Sequence, residues 1–108
     1  MGMQVNQVLR KRHPGLVVSL PFDETQSVYG RIRTFSAETD PEELVWHRDD
    51  EDRIVHVVEC DGWYFQRDDG LPVKMQVGDV IHIRRHEWHR VIMRRPSKLV
   101  VKILTSSP

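Results

Sequence analysis

The sequence holds one cysteine, Cys60, among 108 residues, so no internal disulfide can form and the fold must rest on its own core. A domain of this length buries roughly two-thirds of the surface its unfolded chain exposes, which is enough without covalent staples. A thiol-reducing, intracellular setting goes with that composition. Long apolar runs are also missing. None approaches the ~20 residues that a membrane-spanning helix requires, and the first residues lack a signal-peptide core. A soluble, cytoplasmic protein is expected. Net charge is missing too: 16 lysines and arginines balance 16 aspartates and glutamates, so bulk electrostatics give no reason to expect a nucleic-acid partner. There is no repeat, no low-complexity tract, no phosphate-cradling glycine loop, no CxxC pair and no serine nucleophile elbow. Nothing marks Cys60 as activated.

The charge that is present is unevenly placed. Glu38, Asp40, Glu42, Glu43 and the run Asp49, Asp50, Glu51 and Asp52 crowd the middle of the chain. Arg84, Arg85, Arg90, Arg94, Arg95, Lys98 and Lys102 crowd its last quarter. Two uses fit such segregation: solvated faces that pair across the fold, or an anion-attracting rim.

Residues 6–12 can form a short helix, stopped at once by His13, Pro14 and Gly15. After it the periodicity is that of strands. An apolar run over 16–20 ends at Pro21. Residues 27–35 alternate, with Val28, Gly30 and Ile32 on one face and Tyr29, Arg31 and Arg33 on the other. Further strands are predicted over 44–47, 54–60, 63–66, 71–77, 80–83, 88–93 and 99–104. Asp61-Gly62 reads as a tight hairpin turn, because glycine accepts positive φ. About eight short strands separated by Gly, Pro and Asp turns predict an all-β sandwich or barrel. Residues 1–26 are expected to form an N-terminal arm or edge strand on a barrel of residues 27–108, one structural domain overall.

Two stretches carry a resemblance. Trp46-His47-Arg48-Asp49, continuing through Arg53 and a valine-rich strand to Gly62, is similar to the first cupin motif. There a His-x-His pair and a glutamate precede a hydrophobic strand and a glycine turn. Gly78-Asp79-Val80-Ile81-His82-Ile83-Arg84-Arg85-His86-Glu87-Trp88-His89 resembles the second motif, in which Gly-Asp and an apolar strand lead to Pro-x-Gly and a histidine. The chain thus resembles a small single-domain cupin, an antiparallel jelly roll, over roughly residues 27–104. The departures are specific. Asp49 replaces the second histidine, Arg53 stands at the glutamate position, and Arg84 and His86 replace the usual proline and glycine.

The resemblance implies His47, Asp49 and His89 as metal ligands. Two imidazoles and a carboxylate make a facial set that suits Fe, Mn, Ni or Zn. Residues two apart on a strand share a face, so His47 and Asp49 enter the barrel together. A rival reading pairs Asp49 with Arg53 in an ion pair that takes the place of the metal, leaving no cofactor. Arg53 can also bind a small anionic or polar ligand with its planar fork. His82 is expected to follow Val80 inward and line the pocket. Trp46, Trp63, Phe65 and Trp88 serve core or pocket wall, with Trp63 a candidate for stacking on a ligand. By alternation Val55 and Val57 follow Arg53 inward and His56 faces out. Three functions stay open at this level: a metal-dependent enzyme of oxygenase or isomerase type, a metal-free ligand-binding or regulatory module, and a scaffold. A homodimer is expected, through Val17, Val18 and the face bearing His56.

Overall fold

A computed structural model describes residues 20–27 and 30–105. The helix expected over 6–12, most of the strand over 16–20, and the dimer residues Val17 and Val18 lie outside the described residues. Eight strands are found among those described: β1 (Asp23–Ser27), β2 (Gly30–Phe35), β3 (Arg53–Glu59), β4 (Trp63–Arg67), β5 (Val73–Lys74), β6 (Val80–Ile83), β7 (His89–Met93) and β8 (Leu99–Thr105). They form two antiparallel sheets, one in the order β1-β2-β8-β3-β6 and one in the order β5-β4-β7. The only helical element described is a 3-10 turn, Pro41–Glu43, capped by the Asp40 side chain on the Glu42 amide. No described helix is long and apolar enough to cross a membrane. The expected all-β antiparallel architecture is what the chain adopts.

The core lies between the sheets and is built by alternation. On β8, Leu99, Val101 and Ile103 point inward and are buried, with Leu99 fully so. Their partners across the ladder are Phe35 and Arg33 on β2 and Val57 and Val55 on β3. Opposed residues in an antiparallel ladder share a face, so β2 turns Arg31, Arg33 and Phe35 inward, and two cations enter the barrel on the face that ends in Phe35. The second sheet contributes Trp63 and Phe65 from β4, both buried. Gly30 marks a place where side chains do not fit: its φ is +125° and an added Cβ would lie 2.5 Å from the Ile103 carbonyl oxygen.

Several expectations are corrected here. Asp61-Gly62 does not close a hairpin. Gly62 has positive φ, but β3 and β4 belong to different sheets, so the turn carries the chain across the sandwich. The strand expected over 71–77 shrinks to Val73–Lys74, with Leu71 and Val77 exposed. Residues 44–47 form a single bridge at His47 rather than a strand. The inward placement of His82 also fails. His82 pairs with Ile54 and Val80 with His56, while Ile81 and Ile83 pair with Val55 and Arg53, so it is Ile81 and Ile83 that enter the barrel. Trp46 and Trp88 stay more than a third exposed, each covered by a guanidinium, from Arg90 at 4.7 Å and Arg48 at 5.1 Å.

Candidate metal centre

A backbone bridge sets the site. His47 and His89 exchange both amide hydrogen bonds, 3.0 and 2.9 Å long, so their side chains leave the same face and their rings sit edge to face with centroids 4.3 Å apart. Asp49, two residues on, turns its carboxylate into the same space and is buried. Its backbone oxygen accepts from the His86 amide at 2.8 Å. His86 has φ +67°, the left-handed conformation that suits glycine, at the position where the second cupin motif carries glycine. The turn geometry survives the substitution.

Each imidazole is fixed by a carbonyl. His47 Nδ1 donates to the Val45 oxygen at 3.1 Å and His89 Nδ1 to the Glu87 oxygen at 2.7 Å. A carbonyl only accepts, so each Nδ1 carries a proton, and a neutral ring then leaves its Nε2 lone pair for the site. His47 is held neutral over the physiological range, because burial, His89 and Arg53 press its pKa down to about 4 against smaller opposing effects of the Val45 carbonyl and Asp49. For Asp49, burial pushes the carboxyl upward, but His89, Arg53 and His47 outweigh it and hold it at about 2. Asp49 is therefore a carboxylate at neutral pH.

The three side chains bring ligand atoms to within 4.8 Å of one another. Asp49 Oδ2 is buried with no hydrogen-bond partner, 3.3 Å from His89 Nε2. If the His89 proton stays on Nδ1 alone, two acceptors face each other at this distance. Only a proton on Nε2 or a cation between the groups satisfies both. Ligand atoms about 2.1 Å from a shared ion and near a right or tetrahedral angle apart stand roughly 3.0–3.4 Å from each other. The 3.3 Å between Asp49 and His89 fits a metal, while the set as a whole, spread over up to 4.8 Å, must draw in around an ion. The ligand types and tautomers fit as well.

Arg53 is the neighbour that the sequence set against the metal. Its Nη1 lies 3.3 Å from Asp49 Oδ1, and its Nε and Nη2 lie 3.1 and 3.0 Å from Glu51 Oε2. Glu51 is shared with Arg31 at 2.6 Å. The Arg53 fork is thus engaged by two carboxylates, which corrects the expectation of a guanidinium open to a ligand. Trp63 is likewise not a ligand wall. It is fully buried, and its Nε1 donates to the Ser97 oxygen at 3.3 Å. His82 is exposed on the outer face of β6.

A cavity of about 70 Å³ opens from the site into the sandwich. His47, His89, Arg53 and Arg33 supply its polar surface, and Phe35, Phe65, Val55, Met75 and Leu99 are among its many apolar walls. Arg33 was missed at the sequence level. The signal was present, since Arg33 shares parity with Phe35, the largest apolar residue of its strand.

No protein-family model matches the chain, and no curated protein does. Among solved structures, it is similar to a cupin domain from Bordetella pertussis Tohama I, with a TM-score of 0.55 and 17% identity over 80% of this chain and 94% of that one. It is also similar to a protein from Neisseria meningitidis, with a TM-score of 0.52 and 16% identity over 80% of this chain and 82% of that one. At such identities the likeness is one of fold.

Proposed function

We propose, from a chain whose fold is that of a small cupin, a protein that holds one divalent metal through His47, Asp49 and His89 and a small ligand in the cavity beside it, as a metal-dependent enzyme of oxygenase or isomerase type. One observation carries the reading: the buried Asp49 Oδ2 has no hydrogen-bond partner and faces imidazole nitrogens whose protons point away to carbonyls. Two nitrogens and one oxygen suit Fe, Mn, Ni or Zn and leave positions open for a ligand. When bound, the metal supplies Lewis acidity or oxygen activation at those positions. The protein's own groups do the rest. The Val45 and Glu87 carbonyls fix the two tautomers, Arg53 holds Asp49 by its other oxygen, and the apolar walls keep water from the reacting face.

The metal-free reading draws on the Asp49–Arg53 pair. That pair involves Oδ1 and leaves Oδ2 available, so the two interactions do not compete for one atom. The test is metal content by elemental analysis after chelation and reloading with Fe(II), Mn(II), Ni(II) or Zn(II). Near one equivalent of metal in the wild type and none in His89→Ala is expected. No retained metal under any loading condition would leave the ligand-binding module as the reading.

A further inference from the structure

Arg33 is an arginine inside a largely apolar cavity, and nothing in the metal centre uses it. It lines the cavity with its side chain 14% exposed, stacked over Phe22 at 3.9 Å. Its Nε and Nη2 both donate to a single oxygen of Glu24, at 2.9 and 2.7 Å. Among the described residues Nη1 has no hydrogen-bond partner. Arg53, the other guanidinium of the cavity, has its donors committed to Asp49 and Glu51. Arg33, though paired with Glu24, is thus the cavity's guanidinium with a donor to spare. Glu24 belongs to the edge strand β1, on the exposed side of the pair.

We propose that this cavity binds a small monocarboxylate with a compact hydrocarbon body, its carboxylate held by Arg33 and its body packed against Phe22, Phe35, Val55 and Leu99. The proposal deepens the ligand half of the reading above and rests on it, but not on the metal. Three features carry it. A guanidinium matches a carboxylate in shape and charge. Away from His47, His89 and Arg53 at the metal-centre end, the walls are apolar side chains, which suit a hydrocarbon body better than a polyhydroxylated one. The accessible space, about 70 Å³, is several times the roughly 10–15 Å³ that one water needs on the same measure, and suits a short hydrocarbon body. Electrostatics agree: burial, and then the nearby Arg53, lower the pKa of the Arg33 guanidinium, a strain that an anion relieves.

The test titrates chelator-treated protein with 3-methylbutanoate and hexanoate and with the matched alcohols, followed by NMR shifts of backbone amides and arginine Nε groups. The wild type should bind at least one acid tenfold more tightly than its alcohol, with Arg33 Nε among the shifted signals. Arg33→Met should bring acid and alcohol to within about twofold, and His82→Ala, on the outer face of β6, should keep the preference. Glu24→Gln removes the competing carboxylate and should tighten acid binding threefold or more; it also carries the test if Arg33→Met fails to fold. The proposal is overturned by equal binding of acid and alcohol, by no binding of either, by a preference that survives Arg33→Met, or by acid affinity unchanged or weaker in Glu24→Gln. Acid binding that appears only after metal is added back also overturns it, because the head group is then on the metal. Failure of the metal reading shows separately, in the elemental analysis.

Discussion

Arg53 grips one oxygen of Asp49 and leaves the other alone: Nη1 lies 3.3 Å from Oδ1, while Oδ2 turns toward His89 at the same distance. Arg53 thus braces one side of the carboxylate in the candidate triad. This arrangement lets an ion pair and a metal coexist on one carboxylate, and it determines how substitutions should divide.

Arg53→Met strands the buried Asp49 carboxylate and is expected to destabilise the metal-free fold by roughly 3 kcal/mol, whereas Asp49→Ala should cost less, because Arg53 keeps Glu51. The double variant should recover part of the sum, as coupled neighbours do. Their metal binding should differ. Asp49→Ala loses a ligand and most affinity, whereas Arg53→Met keeps all three ligands and should lose tenfold at most through looser positioning. Denaturant melts with metal titrations of the four proteins check this. Equal metal loss in both single variants would refute the positioning role.

His47 predicts a pH dependence of the metal-free protein. Its pKa falls from 6.5 unfolded to about 4 folded, chiefly by burial. Below 6.5 the unfolded chain takes up a proton that the folded chain refuses, so stability is full above that value and is lost as pH falls toward 4. The span corresponds to about 3 kcal/mol as an upper bound. Asp49, lowered from 3.8 to about 2, extends the loss through that lower interval. Chemical denaturation from pH 7 to 4 should show the slope in the wild type and a shallower one in His47→Gln.

At residue 86 the expected change is a gain. A side chain at φ +67° carries roughly 1–2 kcal/mol of left-handed strain, and the His86–Asp50 contact is solvent-exposed. His86→Gly should leave the melting temperature unchanged or a few degrees higher, because relief of strain outweighs glycine's entropy. His86→Val, branched at Cβ, should lower it by several degrees. Calorimetry on the two variants separates the outcomes.

His82→Ala should change neither metal content nor carboxylate affinity, since the side chain is on the outer face of β6. A tenfold loss of either would return it to the pocket.

The fold was legible because its signals are local. Gly, Pro and Asp turns divide the chain into short alternating segments, and β3, β4, β6, β7 and β8 fall within a residue or two of the predicted bounds. The grouping of His47, Asp49 and His89 was legible because the three stand at motif positions. What failed depends on register between strands, which no single segment encodes. Val80 and His82 look like an inward pair until the ladder with β3 sends Ile81 and Ile83 in instead. Arg33 looks like a surface cation until Val101 opposite it fixes its face. Asp61-Gly62 has hairpin chemistry, yet the strands it joins pair with other partners. The division of the Asp49 oxygens is a matter of side-chain angles, below the resolution of any pattern.

The bridge between His47 and His89 has a thermodynamic consequence for metal binding. These residues are far apart in sequence, and joining them closes a long loop at an entropy cost that grows slowly with length. The backbone meets that cost during folding, through two amide hydrogen bonds, before an ion arrives. The unfolded chain holds its three ligands in no such proximity and is a weak competitor. Metal should therefore act as a ligand of the folded state alone, and the melting temperature should climb with the logarithm of free metal concentration once the dissociation constant is passed. The amides of His47 and His89 should be those whose hydrogen exchange slows most, because their opening is what the ion opposes.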